Sequence, residues 1–412
     1  MTAAPGRVFH GWWMVAGCLL VAVVGWSLGV FGMGVYIHAL SEKRGFAIGL
    51  VSTAVTLSYL VTAVCLAGVG AAIVRFGPKR VIGAGAVVTA LAVAGLAFCV
   101  EAWQLFAVFA LLGAGRSCLS PTSISTTLSP WFERLQGRAV SIALLGASVG
   151  GIIATPLLLL GIDAFGIQTT FALAGVVSVA VLAPVVLFVF KTRPQDIGLL
   201  PDGAPHATGE ARPPERVWSR RHAAATPQFL SVLAAFSIGM MVQIGFLSHH
   251  VSIISPVLGD TAASLAVSLA AAAAFGGRIV LARVADQVDL RLIAGGVLLV
   301  AGVSLGAMSF TSSYVGLLST SIFYGLTTGA LTTLSPIIVR REFGGASFGA
   351  VYGVAASIIA IATAFGPGLF GTLRDALGSY APSLIMAAGL NFVAAVAIVI
   401  GGLKPLPDPI EA

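Results

Sequence analysis

An all-α polytopic membrane protein with about twelve spanning helices is the fold class this sequence predicts, and three observations carry it. Of 412 residues, 58% are hydrophobic and only 9% are charged, whereas a soluble domain carries about 25% charged residues. The apolar residues fall into twelve runs, each close to the roughly 20 residues a helix needs to cross the hydrocarbon core. The 50 glycines follow no collagen period, and they suit helices that approach closely in lipid.

The runs lie at roughly 12–38, 47–73, 81–100, 103–128, 139–162, 169–190, 228–254, 262–284, 292–310, 314–339, 347–372 and 381–402. Only Arg7 precedes the first, which is long and has no clear small-residue cleavage site, so it is expected to stay as a span and not to leave as a signal peptide. Basic residues set the orientation. With the N-terminus inside, only Lys43, Arg44 and Arg374 fall in outer loops, Arg116 and Arg278 fall within spans, and the other 17 of the 22 are cytoplasmic. Lys and Arg concentrate on the cytoplasmic side, so both termini are expected there, in a multi-pass protein of the inner (plasma) membrane.

The longest polar stretch, 192–227, reads as a cytoplasmic linker between two six-helix bundles, 1–191 and 228–412. The halves share a mark: Thr-Thr-Leu-Ser-Pro stands at 126–130, ending span 4, and again at 332–336, ending span 10. Parallel repeats of this kind occur in transporters.

Several function classes drop out. The net charge of +7 is distributed between apolar runs and forms no basic stripe, so nucleic acid is not an expected partner. Cys18, Cys65, Cys99 and Cys118 all lie in apolar runs without metal-type spacing and read as packing residues. His249 and His250 look like a metal pair, but neighbours on a helix point apart. No nucleophile–base constellation or phosphate loop is visible. An enzyme, a cofactor and a metal are therefore not expected.

Candidate functional residues come from the cost of polar groups in lipid. All 15 acidic residues fall in loops or at helix ends, while the two in-span charges are arginines. Each costs about 2.5–3.5 kcal/mol at the helix centre and must face water, carbonyls or an anion. Two cations without a mid-span acid make an electropositive well that selects anions. On span 4, Arg116, Ser120, Ser123 and Thr127 share one helical face; on span 8, Ser264, Ser268, Phe275 and Arg278 do so. Tyr59 on span 2, Gln243 on span 7 and Tyr324 on span 10 complete the expected substrate-contacting set of Arg278, Arg116, Tyr59, Gln243, Ser268, Tyr324 and Ser120. Gly25, Gly29 and Gly32, with Gly146 and Gly150, read as packing surfaces. Trp12, Trp13, Trp103 and Trp131 read as interfacial belt residues.

At this point the sequence resembles the major facilitator superfamily. That family's loop after span 2 reads Gly-xxx-Asp-Arg-x-Gly-Arg-Lys, and here it stands as Gly70, Val74, Arg75, Gly77, Pro78 and Lys79, with Val74 in place of the acid. The equivalent after span 8, Ala282, Asp286, Gln287 and Arg291, keeps the acid as Asp286. Within the superfamily it is similar to the monocarboxylate transporters and their bacterial oxalate–formate relatives. The start of span 5 carries this likeness through Trp131, Phe132, Arg134, Ala139, Ala143, Gly146 and Gly150. Gly11-Trp12-Trp13 and the stretch from Arg193 to Gly198 add to it. The resemblance implies a secondary active transporter, most simply a monomer, of a small organic anion, with a proton or counter-anion as a further partner. It implies that Arg278 binds substrate carboxylate. The acid that serves proton coupling is replaced by Ala274, the span-1 lysine by Phe31 and the oxalate-type span-11 lysine by Ala355. Asp286, Arg75 and Arg138 are expected at the cytoplasmic gate, Asp286 as a latch on a helix N-terminus. An oxalate/formate-type exchanger and a drug-efflux carrier are the alternatives, and a non-transporting sensor or scaffold fits least.

Overall fold

The computed structural model describes residues 9–133, 135–203, 218–285 and 287–403, and every regular element among them is helical. Ten helices are long and apolar enough to span a membrane: His10–Arg44, Ile48–Phe76, Pro78–Leu96, Ala102–Leu128, Gln136–Val189, Pro227–Leu281, Leu290–Ser309, Tyr314–Phe343, Ser347–Leu377 and Ala381–Gly401. Two of them are 54 and 55 residues long, about 80 Å at 1.5 Å per residue, far beyond a hydrocarbon core of about 30 Å. Each is broken by a glycine at positive φ, Gly166 (φ 76°) and Gly259 (φ 82°), a conformation a side chain would strain. These breaks yield spans 5 and 6 and spans 7 and 8, so the described residues cross twelve times. Prolines sit at the first turn of spans 3 and 7, Pro78 and Pro227, where a missing N–H costs nothing. Thr226, Asp289 and Ser313 cap spans 7, 9 and 10 with their side chains.

The chain divides into two compact units, Met1–Met33 with Val61–Glu210, and Gly34–Leu60 with Ala211–Ala412. In the first unit, spans 1 and 5 approach through glycines. A Cβ on Gly146 or Gly150 would strike the backbone carbonyls of Leu19 and Val23, as the small-residue pattern predicts. Span 4 is not one continuous helix. It stops at Ser117 and restarts at Pro121, with Ser120 as N-cap accepting from Ser123 N–H at 3.3 Å. The helical face expected to join Arg116 to Ser120, Ser123 and Thr127 is therefore interrupted. Trp131 also departs from expectation: Trp13 and Trp103 are 57% and 69% exposed like belt residues, but Trp131 is fully buried. The loop that carries it folds back under span 1, and its indole lies against Phe9 and His10.

In the second unit, spans 8 and 10 meet at glycines: Gly325 and Gly329 lie against the Ala270 and Ala274 carbonyls, and Gly277 against that of Leu326. The second Thr-Thr-Leu-Ser-Pro lies inside span 10, which runs on to Phe343 with Pro336 inside the helix; the first does end its helix, at Leu128. At the start of span 9 a buried arginine ties four spans. Arg291 on span 9 makes a paired contact with Glu342 on span 10 (2.6 and 2.9 Å). It also donates to Ser231 Oγ and Gln228 O on span 7 and to Ile398 O on span 12, each at 2.9 Å. Removing one partner of a buried pair costs about 3–5 kcal/mol. Because the Glu342 side chain is 23% exposed, Glu342→Gln is expected to cost about 3 kcal/mol, the low end of that range. The check is the thermal unfolding of detergent-purified protein; an unchanged midpoint would remove this anchoring role.

Candidate functional site

Arg116 lies in the first unit and is 9% exposed. Span 1 makes a π-helical turn at Ser27–Phe31, a wide turn that displaces carbonyls from the regular ladder and is common at functional sites. At its centre Gly29 O accepts from Arg116 Nη1 at 2.6 Å. Thr62 Oγ1 on span 2 accepts from Nε and Nη2 at 3.3 and 3.2 Å, while its own hydrogen goes to Gly113 O at 3.0 Å. Gly29 is a glycine for a reason visible here, since a Cβ would overlap the arginine stem. The guanidinium thus ties spans 1, 2 and 4. Ser120 is buried and occupied in capping.

Arg278 lies in the second unit, half-buried on span 8. Its stem lies over Gly329 of span 10, where a Cβ would come within 2.9 Å of Arg278 Cγ. The two in-span arginines therefore repeat one device: a glycine on a neighbouring span makes room for the methylenes, so the charged head reaches further. Ser268 is half-buried two turns and more before Arg278 on the same span. Gln243 is 3% exposed and Tyr324 2%. The Tyr324 ring meets Phe246 at 4.5 Å, and Phe246 meets His250 at the same distance, so spans 7 and 10 share an aromatic contact. Tyr59 is 8% exposed on the part of span 2 that belongs to this unit. Of the expected gating residues, Arg75 is exposed beside Phe76, and Arg138 is exposed over the Trp12 ring. Asp286 lies outside the described residues.

The two adjacent histidines point to different spans, and what they do was not legible in the sequence. Both are fully buried. Nε2 of His249 lies 3.0 Å from Pro367 O and 3.3 Å from Ser52 Oγ, and Nδ1 lies 2.9 Å from the Tyr380 hydroxyl. The carbonyl can only accept, and Ser52 gives its own hydrogen to Ile48 O at 2.6 Å. In a neutral ring Nε2 therefore carries the hydrogen and Nδ1 accepts from Tyr380. His250 reaches Ser321 on span 10 at 2.9 Å, and Ser321 likewise donates to Leu317 O at 2.7 Å. The only available signal was the placement of two imidazoles in an apolar run, which says that partners exist without saying which.

One groove in the first unit has a volume of about 340 Å³ between spans 1, 5 and 6, including Val24, Leu157, Phe165 and Val181. Its lining holds no charged residue, so it cannot balance an anion's charge.

A sequence profile described as Major Facilitator Superfamily matches residues 15–367. Human (Homo sapiens) monocarboxylate transporter 11 is 27% identical over 428 residues, spanning 99% of this chain and 87% of that protein. An MFS-type transporter of Aspergillus fumigatus is 27% identical over 413 residues, spanning 96% of this chain and 92% of its own. Among solved structures, a bacterial homolog of the human lysosomal transporter Spinster, inward-facing and occupied, aligns with a TM-score of 0.71 at 13% identity over 96% of both chains. At that identity the likeness bears on the fold alone.

Proposed function

The chain belongs to the Major Facilitator Superfamily, and from that premise we propose that this membrane transporter carries a small organic anion, a monocarboxylate foremost, by alternating access. The observation that carries the reading is Arg278, a half-buried guanidinium within span 8 whose stem is seated over Gly329. A guanidinium holds a carboxylate through two parallel bonds, a geometry an ammonium lacks. The similarity to monocarboxylate transporter 11 supports the same substrate class.

Tyr59, Gln243, Ser268, Tyr324, Ser120 and Arg116 belong to the same proposal as further substrate-contacting residues. For Arg116 a contact with the anion requires exchange of the bonds it makes to Gly29 and Thr62. Gating by Asp286, Arg75 and Arg138 would register in the same assay as slower turnover at unchanged affinity.

The test is uptake by proteoliposomes of lactate, pyruvate, formate and oxalate at two pH values. Saturable uptake of lactate or pyruvate supports the reading. Exchange confined to oxalate and formate would replace it with an exchanger of those anions, and no anion movement under either condition would refute it.

A further inference from the structure

Outer-side polar contacts hold the ends of spans 1 and 2 within the second unit. Gly34 of span 1 is close to bare backbone on span 7: a Cβ there would come within 3.2 Å of Leu247 O and 3.5 Å of Ser248 O, with Val251 Cγ2 at 3.7 Å. One turn further along span 1, His38 is 9% exposed, and its Nε2 lies 3.1 Å from Asp260 Oδ1. Asp260 directly follows Gly259, the break between spans 7 and 8. Ser255, at the end of span 7, donates to the same carboxylate oxygen and lies 3.4 Å from His38 Nε2. Span 2 is tied separately. Gly49 N–H, in its first turn, donates to Asp375 Oδ2 of span 11 at 2.7 Å, and Gly368 N–H donates to Thr56 Oγ1 at 2.9 Å. A carboxylate at a helix N-terminus gains from the helix dipole as well as from the bond.

We propose that His38 and Asp260 form a proton-binding site at the outer gate, so that a proton bound from outside holds spans 1, 7 and 8 together and favours the outer-closed state. The inference rests on the alternating-access part of the proposed function and adds the ligand, a proton, and its seat. Geometry supports it in three ways. The pair bridges residues 222 apart in the chain, at the place where the outer end of span 1 must part from spans 7 and 8 for the gate to open. The Asp260 side chain is 25% exposed, which gives a proton access from the outer side. Histidine is the side chain suited to binding a proton in the physiological range, and a carboxylate 3.1 Å from its Nε2 favours the charged imidazolium and tightens the tie when the proton binds. The other titratable groups at these outer ends are Glu42, Lys43 and Arg44 on span 1 itself, Arg374 and Asp375 on span 11, and Tyr380 at the start of span 12. Asp375 is engaged by Gly49 and by Arg374 at 3.5 Å, and Tyr380 by His249. Neither is placed by a direct contact to answer for His38.

The test needs no transported substrate. Val251, 1% exposed beneath Gly34, is replaced by cysteine in the full-length carrier in liposomes, and labelling by a charged thiol reagent from the outer side is followed at pH 5.5 and 8. Phe310→Cys, at an outer position 83% exposed, corrects for the reagent's own pH dependence, and the parent chain for background. The corrected labelling rate is expected to be roughly tenfold slower at pH 5.5. His38→Gln should abolish that ratio, and His38→Arg, a permanent cation, should give slow labelling at both values. Asp260→Asn flattens the ratio by removing the other charge, and serves if a His38 variant fails to fold. A flat ratio in the Val251→Cys protein, or a ratio unchanged by His38→Gln and Asp260→Asn, overturns the proposal. A carrier that fails the anion uptake panel would still report its gate here, so the two failures are distinguishable.

Discussion

Arg278→Lys is expected to lose most anion uptake, with efficiency falling between tenfold and a hundredfold while the protein still folds. The magnitude follows from what is exchanged. A hydrogen bond to a charged group contributes about 1.5–3 kcal/mol, and the second of the two parallel bonds from a guanidinium has no counterpart from an ammonium. Lysine also differs in reach: the Arg278 stem uses the space over Gly329, and a shorter head on the same path stops before the guanidinium position. Folding should survive because the charge and the methylenes against Gly329 remain. Uptake kinetics in proteoliposomes, with monodispersity in detergent as the folding control, give the answer. Near-normal affinity in the variant would dismiss Arg278 as the carboxylate anchor.

The second large effect is expected at Arg116. Its bonds to Gly29 O and Thr62 Oγ1 join spans 1, 2 and 4 in a buried setting. Arg116→Gln removes the guanidinium donors from Gly29 O and Thr62 Oγ1, and each buried orphan costs about 1–3 kcal/mol. A stability loss of about 3 kcal/mol is expected on that basis, together with at least a tenfold drop in uptake. Arg116→Lys separates the tie from the charge, since it keeps the cation and loses the fork. If Arg116 also meets the anion, Arg116→Lys should recover more affinity than stability. Equal thermal midpoints for wild type and Arg116→Gln would show that the tie does not hold these spans, and an unchanged apparent affinity in both variants would remove Arg116 from the substrate-contacting set.

Much of the architecture was readable because membrane insertion acts on short stretches of chain. Twelve apolar runs gave twelve crossings, including the two pairs that Gly166 and Gly259 break apart. Other features had a local signal that the apolar pattern hid. Ser120-Pro121 is an N-cap followed by proline at the first helical position, a helix-start signature, yet span 4 reads as one hydrophobic run and the restart is visible only in the backbone. Trp131 is a different case. A tryptophan near a membrane interface is ordinary belt chemistry, and its burial depends on Phe9 and His10, more than a hundred residues earlier, closing over it.

The sequence by itself determined the class, the number of crossings, the family signature and the presence of two arginines that need polar company. Each follows from a cost paid locally, by a run of about 20 residues against hydrocarbon or by one charge within it, whatever the rest of the chain does. Which groups keep that company was decided by tertiary structure alone. Arg116 found a π-turn carbonyl on span 1 and a threonine on span 2, and Arg291 found Glu342, 51 residues away. Asp375 found the N-terminus of span 2 across 326 residues. A hydrogen bond is made or lost over a few tenths of an ångström. Helices are brought that close by glycines such as Gly29, Gly34 and Gly329 meeting particular neighbours, and no periodicity within one span specifies which neighbour that will be.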